Sequence, residues 1–340
     1  MTYTRRQFGK LAATTLPFAA AAASYPGSLF AQGKPNSVFG GVQVGIITAY
    51  SYHNMPDDAR SLVSYMVRDG ISATESHDEP LAEFLGAPKA PVRPRPVAAP
   101  AAGAGRPAAV PPAGEPRAPR APSPEQLAYL EALNKWRLAT PPAKFGEVRK
   151  LYNDAGIWIY GFKMSLTNAM PDELYDWTFE VVKVLGANQL TMEMPDGDSA
   201  LTARIGKFAL KHKTRVGYHA HLQATPTTWD EAMSQSPYNC INLDIGHYTA
   251  AGNHDAVAFV QKNHERITSV HLKDRKFKEN GGANMPWGQG DTPIKEVLAL
   301  MKKDKYKFPA TIELEYQPPE GSNSEKEIVK CLAYAKAALA

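Results

Sequence analysis

The sequence contains little cysteine, with only Cys240 and Cys331 among 340 residues. Cys240 opens a predicted buried strand and Cys331 lies in the predicted last helix, which favours two buried free thiols, although one disulfide is also compatible with the sequence. No Gly-x-Ser-x-Gly occurs, and neither cysteine stands at the carboxyl end of a predicted strand. The chain therefore gives no support for a serine or cysteine nucleophile.

Long apolar runs are also missing after the first thirty or so residues, so no membrane span is predicted in the mature chain. The N-terminus has the layout of an export signal: residues 4–10 (TRRQFGK) are basic, and residues 11–23 are apolar and rich in alanine. The twin arginine resembles a Tat signal. This predicts a signal peptide over 1–31, recognition by the Tat export machinery and a periplasmic or otherwise exported location. An unprocessed amphipathic tail is the alternative.

A strong net charge is absent, since the full chain carries only +4. Three of the positive charges lie in the predicted signal, and segment 87–124 carries a further excess of five. The remaining residues then carry a net charge of about −4, which argues against a nucleic-acid-binding surface on the folded domain.

Segment 87–124 consists mostly of proline, alanine, glycine and arginine. Proline fixes φ and removes a backbone donor, so we predict an extended, disordered, solvated insertion without a packed core. It interrupts a domain that we place at 38–340 rather than dividing it in two. An inert surface loop is the main interpretation, and a basic docking arm is the alternative.

The rest of the chain alternates between strand-like and helix-like patterns. Eight strand–helix units in about 300 residues predict a (β/α)8 TIM barrel in the α/β class, with the insertion after strand 2. An open doubly wound sheet is less compatible, because no Gly-x-Gly-x-x-Gly follows the first strand. The predicted strands are 42–48, 71–75, 157–163, 189–193, 215–219, 240–244, 267–271 and 310–315.

Four of these strands end on a side chain that binds metals: Glu193, Asp244, His271 and Glu315. Because parallel strands joined by helices direct their carboxyl ends to one face, these side chains are expected to converge. Three carboxylates and one imidazole suit one divalent ion of the Mn, Mg or Zn type. Glu313 lies on the same face as Glu315 by strand alternation, so the choice between them stays open, with Glu315 favoured as nearer the strand end.

Further polar residues stand at the same predicted end of the barrel. Glu75, at the end of the second strand, is either an additional active-site acid or a carboxylate facing a helix or loop. Five of the nine histidines also lie at strand ends, which favours a site over isolated loop residues: His77, His219, His221, His247 and His271.

Six short motifs follow the predicted strands in order: 193–195 (EMP), 219–221 (HAH), 244–247 (DIGH), 271–274 (HLKD), 287–291 (WGQGD) and 315–318 (EYQP). Together they resemble the motifs of the xylose isomerase-like barrel superfamily, and the resemblance covers 41–340 apart from the insertion. That group of sugar isomerases and epimerases includes tagatose 3-epimerase, hydroxypyruvate isomerase and inosose dehydratase.

The resemblance implies that the four strand-end ligands hold one divalent ion and that two of them, Glu193 and Glu315, also act as an acid–base pair. One carboxylate removes a proton from the carbon next to a carbonyl, and the ion stabilises the charge that develops on oxygen. Substrate oxygens would be contacted by His221, His247, Lys163 and Lys273, and a surface lysine is the alternative interpretation of Lys163.

These assignments predict a metal-dependent isomerase or epimerase that acts on an unphosphorylated keto sugar, because the loops after strands seven and eight contain only Arg275 as a phosphate-binding arginine. A lyase or dehydratase that eliminates from a keto-glycoside or keto-polyol is the main alternative. A non-catalytic sugar-binding protein is a second one. The resembled family also includes apurinic-site endonucleases, but their additional Asp-x-His is missing at 284–288 (NMPWG). Dimers and tetramers are common in the family, so the resemblance allows a homo-oligomer.

Overall fold

Eight parallel strands pair in chain order, and the last of them closes the sheet against the first. The eighth of them, Ala310–Ile312, pairs with the seventh, Ile267–Leu272, on one side and with the first, Val42–Thr48, on the other, so the sheet is a closed ring. This confirms the predicted (β/α)8 barrel and excludes the open sheet. The barrel strands are β2 (Val42–Thr48), β3 (Ala73–His77), β4 (Trp158–Lys163), β5 (Gln189–Glu193), β6 (Arg215–His219), β7 (Asn239–Asp244), β8 (Ile267–Leu272) and β11 (Ala310–Ile312). Short strands add a hairpin arm, β1 (Val38–Phe39), and a loop ribbon, β9 (Asp274–Arg275) with β10 (Asn284–Met285).

The computed structural model describes residues 33–91 and 123–340. The predicted signal peptide, 1–31, and most of the predicted insertion, 87–124, therefore lie outside the described residues. Within the described part, Pro35–Ala340 form one compact unit.

Helices cover the outside of the barrel and pack their apolar faces on the strands. In the first of them, Asp58 accepts hydrogen bonds from two backbone N–H groups at the start, and Gly70 ends the helix with φ of 78°. The helices are α1 (Ala59–Asp69), α2 (Asp78–Phe84), α3 (Pro124–Ala139), α4 (Gly146–Asp154), α5 (Asp172–Leu185), α6 (Ser199–His212), α7 (Asp230–Gln235), α8 (Ile245–Ala250), α9 (Ala256–Asn263), α10 (Ile294–Lys303) and α11 (Ser324–Ala338).

The eighth barrel strand is shorter than the predicted 310–315 and ends at Ile312. Glu313 still donates its N–H to Leu272 O (3.1 Å), but Leu314 turns to side chains of the loop after β2. Its N–H is donated to Ser51 Oγ (3.3 Å), and its carbonyl oxygen lies 2.6 Å from His53 Nε2. The regular alternation that we expected to place Glu313 and Glu315 on one face therefore stops between them.

Helix α8 was not predicted from the sequence, and it starts directly after β7. Asp244, the last residue of β7, caps this helix, because its Oδ1 accepts the N–H of His247 (2.7 Å). The helix is only six residues long, too short for a clear period in the sequence. Its start ties the position of His247 to that of the Asp244 carboxylate.

Both cysteines, Cys240 and Cys331, are free and buried, as the sequence favoured. Within 33–91 and 123–340, no helix has the length and apolar character required to cross a membrane.

The barrel interior is filled by side chains that reach across it. Tyr160 on β4 is fully buried, and its hydroxyl lies 2.6 Å from Thr311 Oγ1 on β11. Gly45 on β2 leaves the space for this ring, since a Cβ there would lie 2.6 Å from Tyr160 Cε1 and 3.0 Å from Ala73 O.

The substitution Gly45→Ala is expected to lower the free energy of unfolding by about 1–3 kcal/mol, because the added methyl group overlaps a ring that has no room to move. Urea unfolding measures the change. Gly146→Ala is the matched control: Gly146 has helical backbone angles, and a Cβ there would meet its nearest atom at 4.0 Å. Equal stabilities for the two variants would contradict the packing argument.

Candidate active site

The side chains singled out in the sequence lie at the carboxyl ends of the barrel strands or in the loops that follow them. Lys163, Glu193 and Asp244 are the last residues of β4, β5 and β7. His271 lies next to the end of β8, and the remaining four follow strand ends: His221, His247, Lys273 and Glu315. The closed barrel therefore brings all eight to one rim, which is where barrel enzymes build their sites.

Four of the described side chains could hold one ion together. One ligand atom from each of His219, Asp244, His271 and Glu313 lies within 4.8 Å of the other three. All four residues are buried. This central cluster contains two carboxylates and two imidazoles, a donor set that suits a divalent ion of the Mn or Zn type.

The central cluster and the predicted ligand set share Asp244 and His271. Glu193 lies instead against Lys163 and His221, at the rim. Glu315 lies beside the cluster, where Tyr50 Oη donates to its Oε1 (3.3 Å). Glu313, the alternative left open by the sequence, is the strand-eight acid that belongs to the cluster.

Lys273 places a buried ammonium group among three carboxylates. Its Nζ lies 2.9 Å from Asp244 Oδ2, 3.0 Å from Glu315 Oε1 and 3.2 Å from Glu313 Oε2. Burial alone would lower the pKa of Lys273, but the three carboxylates outweigh burial and raise it. The group therefore stays positively charged. It is an internal counter-ion of the site as well as a candidate substrate contact.

His271 lies between two carboxylates from different strands. Its Nδ1 is 2.6 Å from Glu313 Oε2, and its Nε2 is 3.2 Å from Glu75 Oε2. Burial would lower the pKa of His271, yet Glu75 and Glu313 outweigh burial and raise it to about 10. From the sequence, Glu75 was either an additional active-site acid or a carboxylate that faces a helix or loop. In the structure it lies inside the barrel beneath the cluster.

His219 is a cluster member that the sequence pointed to as a strand-end histidine and as part of the HAH motif, but not as a metal ligand. Its ring packs 4.8 Å from that of His271, measured between centroids, and its Nε2 lies 3.9 Å from Asp244 Oδ2. Burial lowers the pKa of His219 well below its ordinary value, and the positive charges of Lys163 and His271 lower it further. The ring is therefore neutral and keeps a lone pair for an ion.

Glu193 and His221 form the open side of the site. Glu193 Oε1 lies 2.7 Å from Lys163 Nζ, and its Oε2 lies 3.6 Å from His221 Nε2. The side chains of Glu193 and His221 are 43% and 51% exposed, so both can meet a molecule that enters from solvent. Burial would lower the pKa of Lys163, but Glu193 and Glu75 outweigh it and raise it, which keeps this lysine charged.

His247 lies between the side chains of Arg275 and Lys273. Arg275 Nη1 is 2.7 Å from Nδ1, and arginine has no acceptor, so Nδ1 accepts and the ring proton lies on Nε2. That Nε2–H faces Glu315 Oε1 at 3.7 Å. Lys273 Nζ is 2.9 Å from Nε2, but the ammonium carries only donors and does not form a hydrogen bond with an N–H. Burial would raise the pKa of Glu315, but His247 and Lys273 lower it to about 2.

The central cluster fits a divalent ion by its chemistry. Asp244 Oδ2 is buried and receives no aligned hydrogen bond, although the Lys273 ammonium is 2.9 Å away. A neutral imidazole (His219), a carboxylate oxygen that accepts no aligned hydrogen bond (Asp244) and a second carboxylate (Glu313) each have a ligand atom within 4.8 Å of the others. An ion there would add positive charge where acidic groups outnumber basic ones, and its binding would displace the proton of His271.

The substitution Lys273→Met is expected to lower the free energy of unfolding by about 3–5 kcal/mol in EDTA, because three buried carboxylates lose their shared cation. Urea unfolding measures the loss, and added Mn²⁺ should recover part of it by supplying positive charge at the same place. Lys150→Met is the matched control, since its ion pair with Asp154 is exposed and should contribute no more than about 0.5 kcal/mol. Equal losses in the two variants would contradict this role of Lys273.

Part of the chain is similar in sequence to proteins with the same barrel fold. Residues 202–336 match the xylose isomerase-like TIM barrel family, which supports the resemblance noted in the motifs. Inosose dehydratase from Lactiplantibacillus plantarum is 28% identical in an alignment 141 residues long, which covers 35% of this chain and 46% of that relative. The match therefore spans about half the length of the dehydratase.

Solved structures of similar shape cover nearly the whole barrel. D-psicose 3-epimerase from Clostridium cellulolyticum H10 has a TM-score of 0.56 at 12% identity and covers 87% of this chain and 99% of its own. The 3-keto-D-glucoside 4-epimerase of E. coli has a TM-score of 0.55 at 10% identity over 87% and 99%. A xylose isomerase domain protein from Planctomyces limnophilus has a TM-score of 0.54 at 14% identity over 87% and 97%. The chain thus has the fold of these proteins, and its residues 202–336 match the xylose isomerase-like TIM barrel family.

Proposed function

We propose that this protein is a metal-dependent sugar isomerase or epimerase that moves a proton on the carbon next to a carbonyl group. The observation that carries the proposal is the convergence at one rim of the central cluster (His219, Asp244, His271 and Glu313) with two further carboxylates, Glu193 and Glu315. Such a set contains what the reaction needs: a base, an acid and positive charge next to the carbonyl oxygen.

Glu193 is the residue that removes the proton. It lies at the end of β5 with its side chain open to solvent, and Lys163 at 2.7 Å holds one of its oxygens. The second oxygen faces His221 and stays accessible to a substrate C–H. Glu315 lies 3.0 Å from the Lys273 ammonium and is ionised in the resting site, where its pKa is lowered to about 2. It therefore takes up a proton from water before it returns one to the substrate, and Glu193 afterwards gives its own proton to water. Return to a different carbon gives isomerisation, and return to the other face of the same carbon gives epimerisation.

The charged groups around the central cluster orient the substrate. When bound, a divalent ion of the Mn, Mg or Zn type supplies positive charge that polarises the substrate carbonyl. The Nε2–H of His247 and the ammonium of Lys273 provide donors for substrate hydroxyl oxygens next to Glu315. The exposed His221 provides a further contact at the open side. His247 and Lys273 are held by buried partners, so these two donors require little reorganisation when a sugar binds.

A second candidate function is a carbon–oxygen lyase or dehydratase on the same site. The match to inosose dehydratase favours it. In this reaction Glu193 removes the same proton, and Glu315 protonates a leaving group instead of carbon. A keto-glycoside would then lose its aglycone, and a keto-polyol would lose water.

The basic residues of the site support an unphosphorylated substrate. Arg275 uses its guanidinium on His247 Nδ1 (2.7 Å) and on the carbonyl oxygen of Gly282 (2.6 Å), so it is already engaged. Lys163 and Lys273 are paired with the carboxylates described above. None of these three groups is left to form a phosphate clamp.

In this proposal the protein is exported by the Tat machinery and works in the periplasm on free sugars or glycosides. The twin-arginine segment at 4–10 supports this location. A homo-oligomer is compatible with the proposal but is not required by it.

The reaction class can be read from hydrogen exchange in deuterated water. The metal-loaded protein should incorporate deuterium into one or more members of a panel of keto sugars and 3-keto-glycosides, offered free and as phosphates. Exchange without bond cleavage supports the isomerase or epimerase, and release of water or an aglycone supports the lyase. Mass spectrometry and NMR measure both. Preference for a phosphorylated member would contradict the assigned substrate class.

Glu193→Gln should lower the exchange rate about 10²–10⁴-fold, because general acid–base catalysis contributes on that scale. Glu173→Gln is the matched control, since Glu173 is exposed on α5. Exchange at the wild-type rate in the Glu193 variant would overturn its role as the base. No exchange with any member of the panel by the unmodified protein would count against the proposed reaction.

Metal analysis of the purified protein provides an independent test. One divalent ion per chain is expected, and its removal with EDTA should abolish deuterium exchange until Mn²⁺ is restored. Three zinc ions per chain would favour an apurinic-site nuclease, and none would favour a non-catalytic sugar-binding protein. Inductively coupled plasma mass spectrometry gives the count.

A further inference from the structure

Glu75 is a buried carboxylate in the barrel interior, and the chemistry proposed above leaves it without a role. It is fully buried on β3. Three donors converge on its Oε2: Asn242 Nδ2 at 2.9 Å, His271 Nε2 at 3.2 Å and Ser269 Oγ at 3.3 Å. Its Oε1 is buried and has no hydrogen-bond partner. One oxygen of this carboxylate therefore receives all of its contacts from β7 and β8.

The neighbouring strand provides the room that the Glu75 side chain needs. A Cβ at Gly161 on β4 would lie 2.9 Å from Glu75 Cγ. Glycine at this position lets the carboxylate extend across the barrel toward β7 and β8. The contact with His271 thus depends on a small residue at 161 as well as on Glu75 itself.

The amide of Asn242 transmits the orientation of Glu75 to His219. A carboxylate only accepts, so the Asn242 group that faces Glu75 Oε2 is the NH₂. Asn242 Oδ1 then faces His219 Nδ1 at 3.2 Å and accepts its proton. The neutral His219 ring carries its proton on Nδ1, and its lone pair on Nε2 is directed toward Asp244 Oδ2, 3.9 Å away.

The same Glu75 oxygen orients His271 directly. A proton on Nε2 of His271 is donated to Glu75, so the Nδ1 atom is the one that faces Glu313 and the central cluster. Imidazoles that bind metals donate their second N–H to a carboxylate or carbonyl, which fixes the tautomer and the ring plane. Glu75 has the position and partners of such a group for two rings at once.

We propose that Glu75 is a positioning residue that sets the tautomers of both imidazoles in the central cluster, His271 directly and His219 through Asn242. The inference rests on the proposed function, because it assigns the central cluster to a divalent ion. Glu75 lies beneath the cluster and touches neither Glu193 nor the exposed rim. It therefore affects ion binding without contacting the substrate.

Metal affinity tests this role in a graded series of variants. Glu75→Leu removes the acceptor and should weaken Mn²⁺ binding about 10–100-fold in isothermal titration calorimetry. Glu75→Gln keeps an amide oxygen as acceptor, so its Mn²⁺ affinity should fall less than about tenfold relative to the wild type. Thr191→Val is the matched control: it removes a buried hydroxyl of the barrel that contacts Gln189 and not Glu75. A Leu variant that is less stable to urea but binds Mn²⁺ as tightly as the control would overturn the proposal.

The tautomer of His219 gives a second readout that needs no metal. With histidine labelled by ¹⁵N, the metal-free wild type should show His219 protonated on Nδ1, assigned by comparison with His219→Gln. Glu75→Leu and Asn242→Leu should both shift that ring toward Nε2–H or a mixture. If either variant folds and its His219 tautomer is unchanged, the proposal that Glu75 acts on His219 through Asn242 is wrong. If the wild type binds no Mn²⁺, the metal dependence of the proposed function fails, and this measurement still decides the part of the inference that concerns His219.

Discussion

The charge balance at the barrel mouth is the constraint on which the rest of the site depends. Asp244, Glu313 and Glu315 come together in a buried volume, and the Lys273 ammonium is within 3.2 Å of each of them. Without that cation their mutual repulsion and desolvation would oppose closure of the barrel at this end. A divalent ion in the central cluster would add further positive charge beside these carboxylates. Stability, ion binding and chemistry are therefore coupled at this site.

Two aspartate side chains at the barrel rim organise the loops that follow their strands. Asp244 ends a strand, caps α8 through Oδ1 and leaves Oδ2 to the cluster. Asp274, three residues after His271, has a comparable role: it accepts N–H groups from Gly288 (2.7 Å) and Gly290 (2.9 Å) and so folds the loop next to the site. The DIGH and HLKD motifs thus each contain one aspartate that organises the loop after its strand, and Asp244 also faces the central cluster.

Much of the fold could be predicted from the sequence, because period-2 and helical patterns and strand spacing are local properties. The rim was predictable for the same reason: parallel strands direct their carboxyl ends to one side, so Asp244 and His271 were expected to meet. Two features of the fold could not be predicted from local patterns. The short helix α8 has too few residues for a period, and the end of β11 at Ile312 is set by Ser51 and His53, which are far away in sequence.

The sequence by itself determined the barrel, the face on which the polar residues lie and the kind of donor atoms available there. Only the tertiary structure decided how those residues are grouped: Glu313 with His271, Glu315 with Lys273, and Glu193 with Lys163. It also brought Glu75 from the second strand of the barrel to Asn242 and His271 on the sixth and seventh. The physical reason is that a side chain's partner across a closed barrel depends on strand stagger and interior packing, which involve all strands at once.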